Sequence, residues 1–202
     1  MYLKINPENP QKRQIRKAAD ILKEGGVIVY PTDTFYGIGC DIMNKKAIEN
    51  IYLLKQRDKK QPFSFICPNL KYISRYAKVS NFAYRHMKRL LPGPYTFILT
   101  GSKMVPKIML TKRKTAGIRV PDHNIALALS SELGNPIIST SALDIEGDSF
   151  ETPELLYEQL VKKVDGFIDG GNVPSVPSSV VSLVGDVPEI IRYGAGDVEI
   201  FE

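Results

Sequence analysis

Apolar positions along this chain alternate between a three-to-four-residue period and short unbroken runs, with glycine or proline at the changes. Ile15, Ala18, Ala19 and Leu22 follow Pro10 at helical spacing and stop at Gly25-Gly26, which predicts a helix over 11–24. The β-branched and aromatic run Val27-Ile28-Val29-Tyr30 predicts a buried strand closed by Pro31, opening into a loop from Thr32 to Gly39. The same reading gives a helix over 45–56, a strand from Pro62 to Cys67 and a helix over 80–91. Pro92-Gly93-Pro94 then leads into a strand from Tyr95 to Thr100. Further strands are expected at Ala116–Val120, Pro136–Thr140, Gly166–Ile168, Val180–Val184 and Glu189–Arg192, with helices over 123–133 and 153–162. Pro174 to Ser179 reads as a loop, because the strand pattern resumes at once.

Strands interleaved with helices at this pitch predict an α/β layered fold around one twisted mixed sheet. At 202 residues, one domain spanning 1–202 is the expectation, and 43% apolar with 24% charged residues is an ordinary globular composition. No apolar stretch approaches the ~20 residues of a membrane helix, and Met1 to Asn9 lacks a basic stretch followed by an apolar one. A cytoplasmic protein without a membrane partner is therefore expected. Cys40, Cys67, His86 and His123 show no metal-ligand spacing, so no protein-ligated transition metal is expected. Neither histidine belongs to a Ser-His-Asp pattern; both read as solvated or capping side chains.

Charge changes the picture. From Lys55 to Arg119 there are sixteen Lys or Arg and one acid, Asp58, for a net +15; the remaining eleven bases and twenty-one acids give −10, a polarity hidden in the total of +5. These bases either sit on scattered solvated faces, paired with acids from elsewhere, or form an electropositive surface that attracts nucleotide or nucleic acid.

Neither GxxxxGK[ST] nor GxGxxG occurs, so any phosphate site must rest on side-chain cations and hydroxyls. Lys55 and Arg57 at a helix end and Arg119 at a strand end suit that task, although side chains two apart on a helix converge only if the chain turns. The loop Pro31-Thr32-Asp33-Thr34-Phe35-Tyr36-Gly37-Ile38-Gly39 puts hydroxyls, an aromatic and glycines at a strand's carboxyl end, a common ligand position in α/β sheets. Ser139-Thr140-Ser141 can either cap the next segment or hydrogen-bond a ligand.

Taken together, VIVYPTDTFYGIGC (27–40), KQR (55–57), LPGPYTFIL (91–99), GIRVP (117–121), ISTSA (138–142), PSSVVSL (177–183) and IIRYGAG (190–196) resemble the YrdC-like family of threonylcarbamoyl-AMP synthases over nearly the whole chain. The resemblance implies that the twisted sheet is open, with helices on its faces and a positively charged concave surface. It also implies joining of L-threonine, bicarbonate and ATP with release of pyrophosphate, Mg2+ entering with ATP. Transfer RNA or double-stranded RNA and tRNA-modification proteins are the implied macromolecular partners. Carried over residue by residue, Lys55 and Arg57 would be catalytic and hold the triphosphate. Thr115, Ser141, Ser149 and Arg192 would be further nucleotide contacts. Thr34, Arg119, Ser139 and Ser179 would surround threonine, with Arg119 gripping its carboxylate as a bidentate fork. Tyr36 would form part of the pocket wall.

Three departures bear on this expectation. Leu143 stands where the family's Ser-x-Asn motif has an amide; Asp58 replaces a proline after KxR, bringing repulsion to phosphate unless it turns away; Ile66 aligns with a histidine of many members. With GSKMVPK (101–107) and KRKTAGIRVP (112–121), they make the chain more similar to the YciO branch. Two functions follow as expectations: a threonylcarbamoyl-AMP synthase-like nucleotidyltransferase in tRNA modification, or a binding module for double-stranded or structured RNA.

Overall fold

The computed structural model describes residues 1–143, 150, 152–185 and 187–201. In chain order the elements are β1 (Tyr2–Lys4), α1 (Lys12–Lys23), β2 (Ile28–Tyr30), β3 (Gly37–Gly39), α2 (Lys45–Leu54), β4 (Ser64–Ile66), α3 (Leu70–Tyr76), β5 (Ala77–Lys78) and α4 (Asn81–Leu90). They continue as β6 (Tyr95–Gly101), β7 (Thr115–Arg119), α5 (Asn124–Leu133), β8 (Ile137–Ser141), α6 (Pro153–Leu160), β9 (Gly166–Asp169), β10 (Ser179–Ser182) and β11 (Glu189–Arg192). The strands form one mixed sheet in the order β1-β9-β2-β3-β8-β4-β7-β6-β10-β11, with β5 paired to β6.

Four elements go beyond the sequence expectations: β1, β3, α3 and β5. The stretch read as loop to Gly39 contains β3, antiparallel to both β2 and β8. Gly39 makes that pairing possible, since a Cβ there would stand 2.1 Å from the Ile138 carbonyl oxygen. The helices start where side chains can satisfy free backbone N–H groups: Asn44, Asn69, Ser80 and Thr152 accept from Ala47, Tyr72, Ala83 and Leu155.

Side-chain alternation divides the sheet between two cores. Val29, Ile38, Phe65, Phe97, Ile118, Ile138, Phe167 and Val181 face one way, into the larger core shared with α2, α3, α4 and α6. Ile28, Tyr30, Ile66, Ile137 and Ile168 face the other way, under α1 and α5. Those two helices cover this face from β1 to β8 and reach Ile66 at the end of β4. Among the described residues no helix covers the half formed by the rest of β4 with β7, β6 and β10, and the cleft discussed below lies there. No helix among them is long and apolar enough to cross a membrane.

Candidate functional site

The uncovered half-face carries hydroxyls, glycine and arginine where the covered half carries isoleucine. Ser64 of β4, Thr96 and Ile98 of β6, Thr115, Gly117 and Arg119 of β7, and Ser139 and Ser141 of β8 share its floor. Strand register explains the grouping: Ser64 pairs with Ser139, Ile66 with Arg119 and Ile98 with Gly117. Arg57, Ser178 and Arg192 complete the walls of a cleft of about 430 Å³, within the range of small-ligand sites.

The floor is tied by hydrogen bonds. Ser64 Oγ donates to the Ser139 carbonyl at 3.1 Å, Thr96 and Ser178 hydroxyls lie 2.9 Å apart, and those of Thr111 and Thr115 lie 2.7 Å apart. Arg192 grips the neighbouring loop, its Nε and Nη2 donating to the Ser178 carbonyl at 3.0 and 2.7 Å and Nη2 also to Ser178 Oγ at 3.1 Å. Burial, and then the nearby charge of Arg119, lower the pKa of Arg192. Two guanidiniums that feel each other in one cleft favour an anion between them.

Arg119 is 8% exposed. Its Nη2 donates to Asp33 Oδ1 at 2.7 Å and to Thr34 Oγ1 at 3.0 Å, while its Nε is buried without a partner. Burial lowers its pKa, against the pull of Asp33. The bidentate fork expected for a ligand carboxylate is therefore partly occupied from within the protein. The Asp33–Thr34 loop is itself folded by Thr32, whose Oγ1 donates to the Phe35 carbonyl at 2.6 Å and accepts from the Thr34 N–H at 3.2 Å.

Of the expected site residues, Arg57, Thr115, Arg119, Ser139, Ser141 and Arg192 come together in this cleft. Thr34 stands behind it, almost fully buried, as a support for Arg119. The chain does turn at Gln56, where φ is +47°, and Arg57 then lies over the Phe63 ring at 4.9 Å. Lys55 donates from Nζ to the Leu143 carbonyl at 3.2 Å, so the residue replacing the amide still offers a backbone acceptor. Ser149 lies outside the described residues.

Two expected contacts are turned elsewhere. Tyr36 bridges Gly170 N–H and the Gly171 carbonyl with its hydroxyl and lines a different pocket, of about 240 Å³, beside Phe35 and Leu156. Ser179 is fully buried, donating to the Gly196 carbonyl at 2.5 Å and accepting from Gly194 N–H at 3.0 Å. Ser179 shares the side of β10 that carries Val181 into the large core, and the one-residue step to Ser178 reaches the cleft instead. Ser64, Thr96 and Ser178 were not among the sequence candidates.

The departures also acquire a geometry. Asp58 caps its own turn, Oδ1 accepting from Lys60 N–H at 2.8 Å. Ile66 is fully buried in the core under α1 and α5. The histidines are half-buried: His86 packs between Phe82 and Phe201, and His123 stands at the N-cap position of α5 but makes no side-chain cap bond, its Nδ1 buried and unpartnered.

Fourteen of the sixteen bases between Lys55 and Arg119 are exposed. Of these bases, Lys59 pairs with Glu49 at 3.5 Å and Arg119 with Asp33 at 2.7 Å. Yet only Arg57 and Arg119 line the cleft, since the bases on α3 and α4 belong to helices packed on the opposite face. Among the described residues, no group of three or more His, Cys, Asp or Glu suited to a metal occurs and no carboxylate lines the cleft. A Mg2+ ion would fit there only as a companion of phosphate and water oxygens.

Fold and cleft together define an open-sheet α/β domain with a hydroxyl-floored cleft that three arginines line. The profile of the Sua5/YciO/YrdC family, described as telomere recombination, matches residues 20–194, and the chain belongs to that family. It is 44% identical over 203 residues to the uncharacterized protein YciO of Escherichia coli K12, covering 99% of this chain and 98% of that one. The crystal structure of E. coli YciO superposes with a TM-score of 0.94 over 100% of this chain and 99% of that one. A putative threonylcarbamoyl-AMP synthase of Methanocaldococcus jannaschii is 32% identical, with 95% of this chain and 92% of the relative covered. Sua5 of Pyrococcus abyssi complexed with L-threonine is 29% identical, with a TM-score of 0.89 over 96% of this chain and 57% of that one.

Proposed function

We propose that the cleft binds ATP and an amino acid together and performs a threonylcarbamoyl-AMP synthase-like nucleotidyl transfer in tRNA modification, in the cytoplasm. The observation that carries this reading is the convergence of Arg57, Arg119 and Arg192 on one hydroxyl floor, in a family that includes a Sua5 bound to L-threonine. In the reaction, the threonine amine bonds to the carbon of bicarbonate, a C–O bond breaks and water leaves, giving a carbamate. Its oxygen attacks the α-phosphorus, a P–O bond forms, and the bond to the β-phosphate breaks with its electron pair leaving on pyrophosphate. Arg57 and Arg192 are placed to neutralise that leaving charge, with Lys55 beside the Leu143 carbonyl at the end of β8. Arg119, Thr34 and Ser139 make up the amino-acid end; Mg2+ supplies charge neutralisation on the phosphates when bound.

The test is pyrophosphate release by purified protein with Mg2+-ATP, bicarbonate and L-threonine, each omitted in turn. Release that needs all three substrates is expected; release indifferent to threonine and bicarbonate would sink the reading.

A second reading is favoured by the exposed bases on α3, α4 and residues 103–114, which lie outside the cleft or at its edge. They suit the phosphates of a structured or double-stranded RNA, and such binding should weaken steeply with salt. An RNA affinity flat between 50 and 200 mM salt, concentrations in the range where counterion release acts strongly, would exclude it.

A further inference from the structure

The cleft's three guanidiniums are not equivalent. Both Nη2 hydrogens of Arg119 are engaged, one by Asp33 Oδ1 and one by Thr34 Oγ1, and the ion pair is nearly sealed from water, with both side chains 9% exposed. Asp33 is itself fixed from the other side, its Oδ2 accepting from Asp122 N–H at 3.0 Å. Arg57 and Arg192 have no carboxylate partner among the described residues; Arg192 spends its donors on the neutral Ser178. Charge is thus cancelled at the Arg119 end of the cleft and left uncompensated at the other.

We propose that Asp33 is a specificity-determining residue: by neutralising Arg119 it reserves that end of the cleft for a singly charged carboxylate and steers phosphate groups to Arg57 and Arg192. The inference rests on the two-ended reading of the cleft given above. Asp33 does not itself line the cleft, so it works through Arg119. With both Nη2 hydrogens spent and Nε unpartnered but buried, Nη1 is the donor left to a ligand, one nitrogen where phosphate recognition favours a fork. A weakly charged group with its own hydroxyl partners, Ser139 among them, suits such a donor better than a polyphosphate does.

The consequence is a gain of binding on removing an acid that touches no ligand. In Asp33→Asn, Arg119 keeps a hydrogen-bond acceptor but recovers its net charge. Affinity for inorganic pyrophosphate, measured by titration calorimetry at low salt, should rise on the order of tenfold, or a second equivalent should bind. One uncompensated charge a few ångströms from an anion contributes at least that much at protein-surface dielectric. Adding Arg119→Met should return binding to the wild-type level. A folded Asp33→Asn protein whose pyrophosphate affinity is unchanged or weaker overturns the proposal, because a purely structural Asp33 predicts no gain.

Should Asp33→Asn fail to fold, the pair variant Asp33→Asn/Arg119→Met carries the test, since replacing both members of a buried pair is tolerated where breaking it is not. It should bind pyrophosphate like wild type, and a loss as large as that in Arg192→Met overturns the assignment. Wild-type protein that takes up no pyrophosphate at all sinks the cleft reading itself, an outcome distinct from a wild type that binds and an Asp33→Asn that gains nothing.

Discussion

The pairing of β3 with β8 anchors the strand that carries Ser139 and Ser141 to the cleft floor, so its tolerance to a single added carbon is worth working through. In Gly39→Ala the new Cβ would lie 2.1 Å from the Ile138 carbonyl oxygen, 2.8 Å from Ile137 Cγ2 and 2.9 Å from a Tyr30 ring carbon. The nearest of these is backbone in the middle of β8 and cannot swing away. Relief requires β3 to move off its partner, at the expense of the register that aligns Gly37 with Ser141 and Ile38 with Thr140. Overpacking against side chains costs roughly 1–3 kcal/mol, and a clash with fixed backbone belongs at or above the upper end, about 3 kcal/mol or more. At roughly 2–4 °C per kcal/mol for a chain of this size, the midpoint of thermal unfolding should fall by about 6 to 12 °C. Gly37 supplies the internal control. A Cβ there meets the Tyr30 ring at 3.1 and 3.2 Å and Ser139 Oγ at 3.3 Å, side-chain atoms that can yield by tenths of an ångström, so Gly37→Ala should cost about 1 kcal/mol. Circular dichroism melts of the two variants against wild type make the comparison. A Gly39→Ala protein as stable as Gly37→Ala would refute the argument that the Ile138 carbonyl, rather than strand propensity, dictates glycine.

Three further outcomes follow from single residues. Ser179→Ala strands the Gly194 N–H and should destabilise by about 1–3 kcal/mol while leaving pyrophosphate affinity intact; Ser178→Ala should do the reverse, a small stability loss with weakened pyrophosphate binding, and equal effects of the two on binding would contradict the strand parity. Lys55→Ala and Arg57→Ala should each lower turnover about a hundredfold or more while shifting urea midpoints little, and unchanged turnover in both would remove them from the site. Burial lowers the pKa of His123 below its ordinary 6.5, so its neutral form is favoured in the folded protein. Its contribution to stability is present above about pH 6.5 and is lost as pH falls below it, at a slope of at most about 1.4 kcal/mol per pH unit; His123→Gln should flatten that part of the unfolding free-energy curve, and an identical slope in the variant would contradict the assignment.

How much of this was legible in the sequence depends on how far each element announces itself locally. The helix over 11–24 and the strand Ala116–Val120 carry complete periodic patterns and reappear as α1 and β7 with shifts of a residue or so. β3 does not, since Gly37-Ile38-Gly39 has almost no strand propensity and is required by a neighbour about a hundred residues away. α3 carried a usable signal in Asn69, which caps it, but its seven residues are too short for a clear period. At the site, arginines and motif hydroxyls were visible one at a time, whereas the facing of each side chain was not. Counting alternate residues outward from Arg119 and its strand partners would have found Ser64 and Thr96. The same counting on β10 would have preferred Ser178 to Ser179.

The uncovered half-face also explains why a hydroxyl floor persists where an isoleucine floor would demand a helix. Ser64, Thr96, Thr115 and Ser178 satisfy one another or a backbone carbonyl, so the floor loses little by facing water and little by being covered. The Nε of Arg119 differs: it is buried, cationic and without an acceptor, and the Asp33 pair offsets the charge without supplying that bond. A buried donor left open at the edge of an otherwise satisfied surface raises the energy of the empty cleft at one point only. On the proposed reading, that local deficit lies at the amino-acid end of the cleft, and the uncompensated charge of Arg57 and Arg192 lies at the phosphate end.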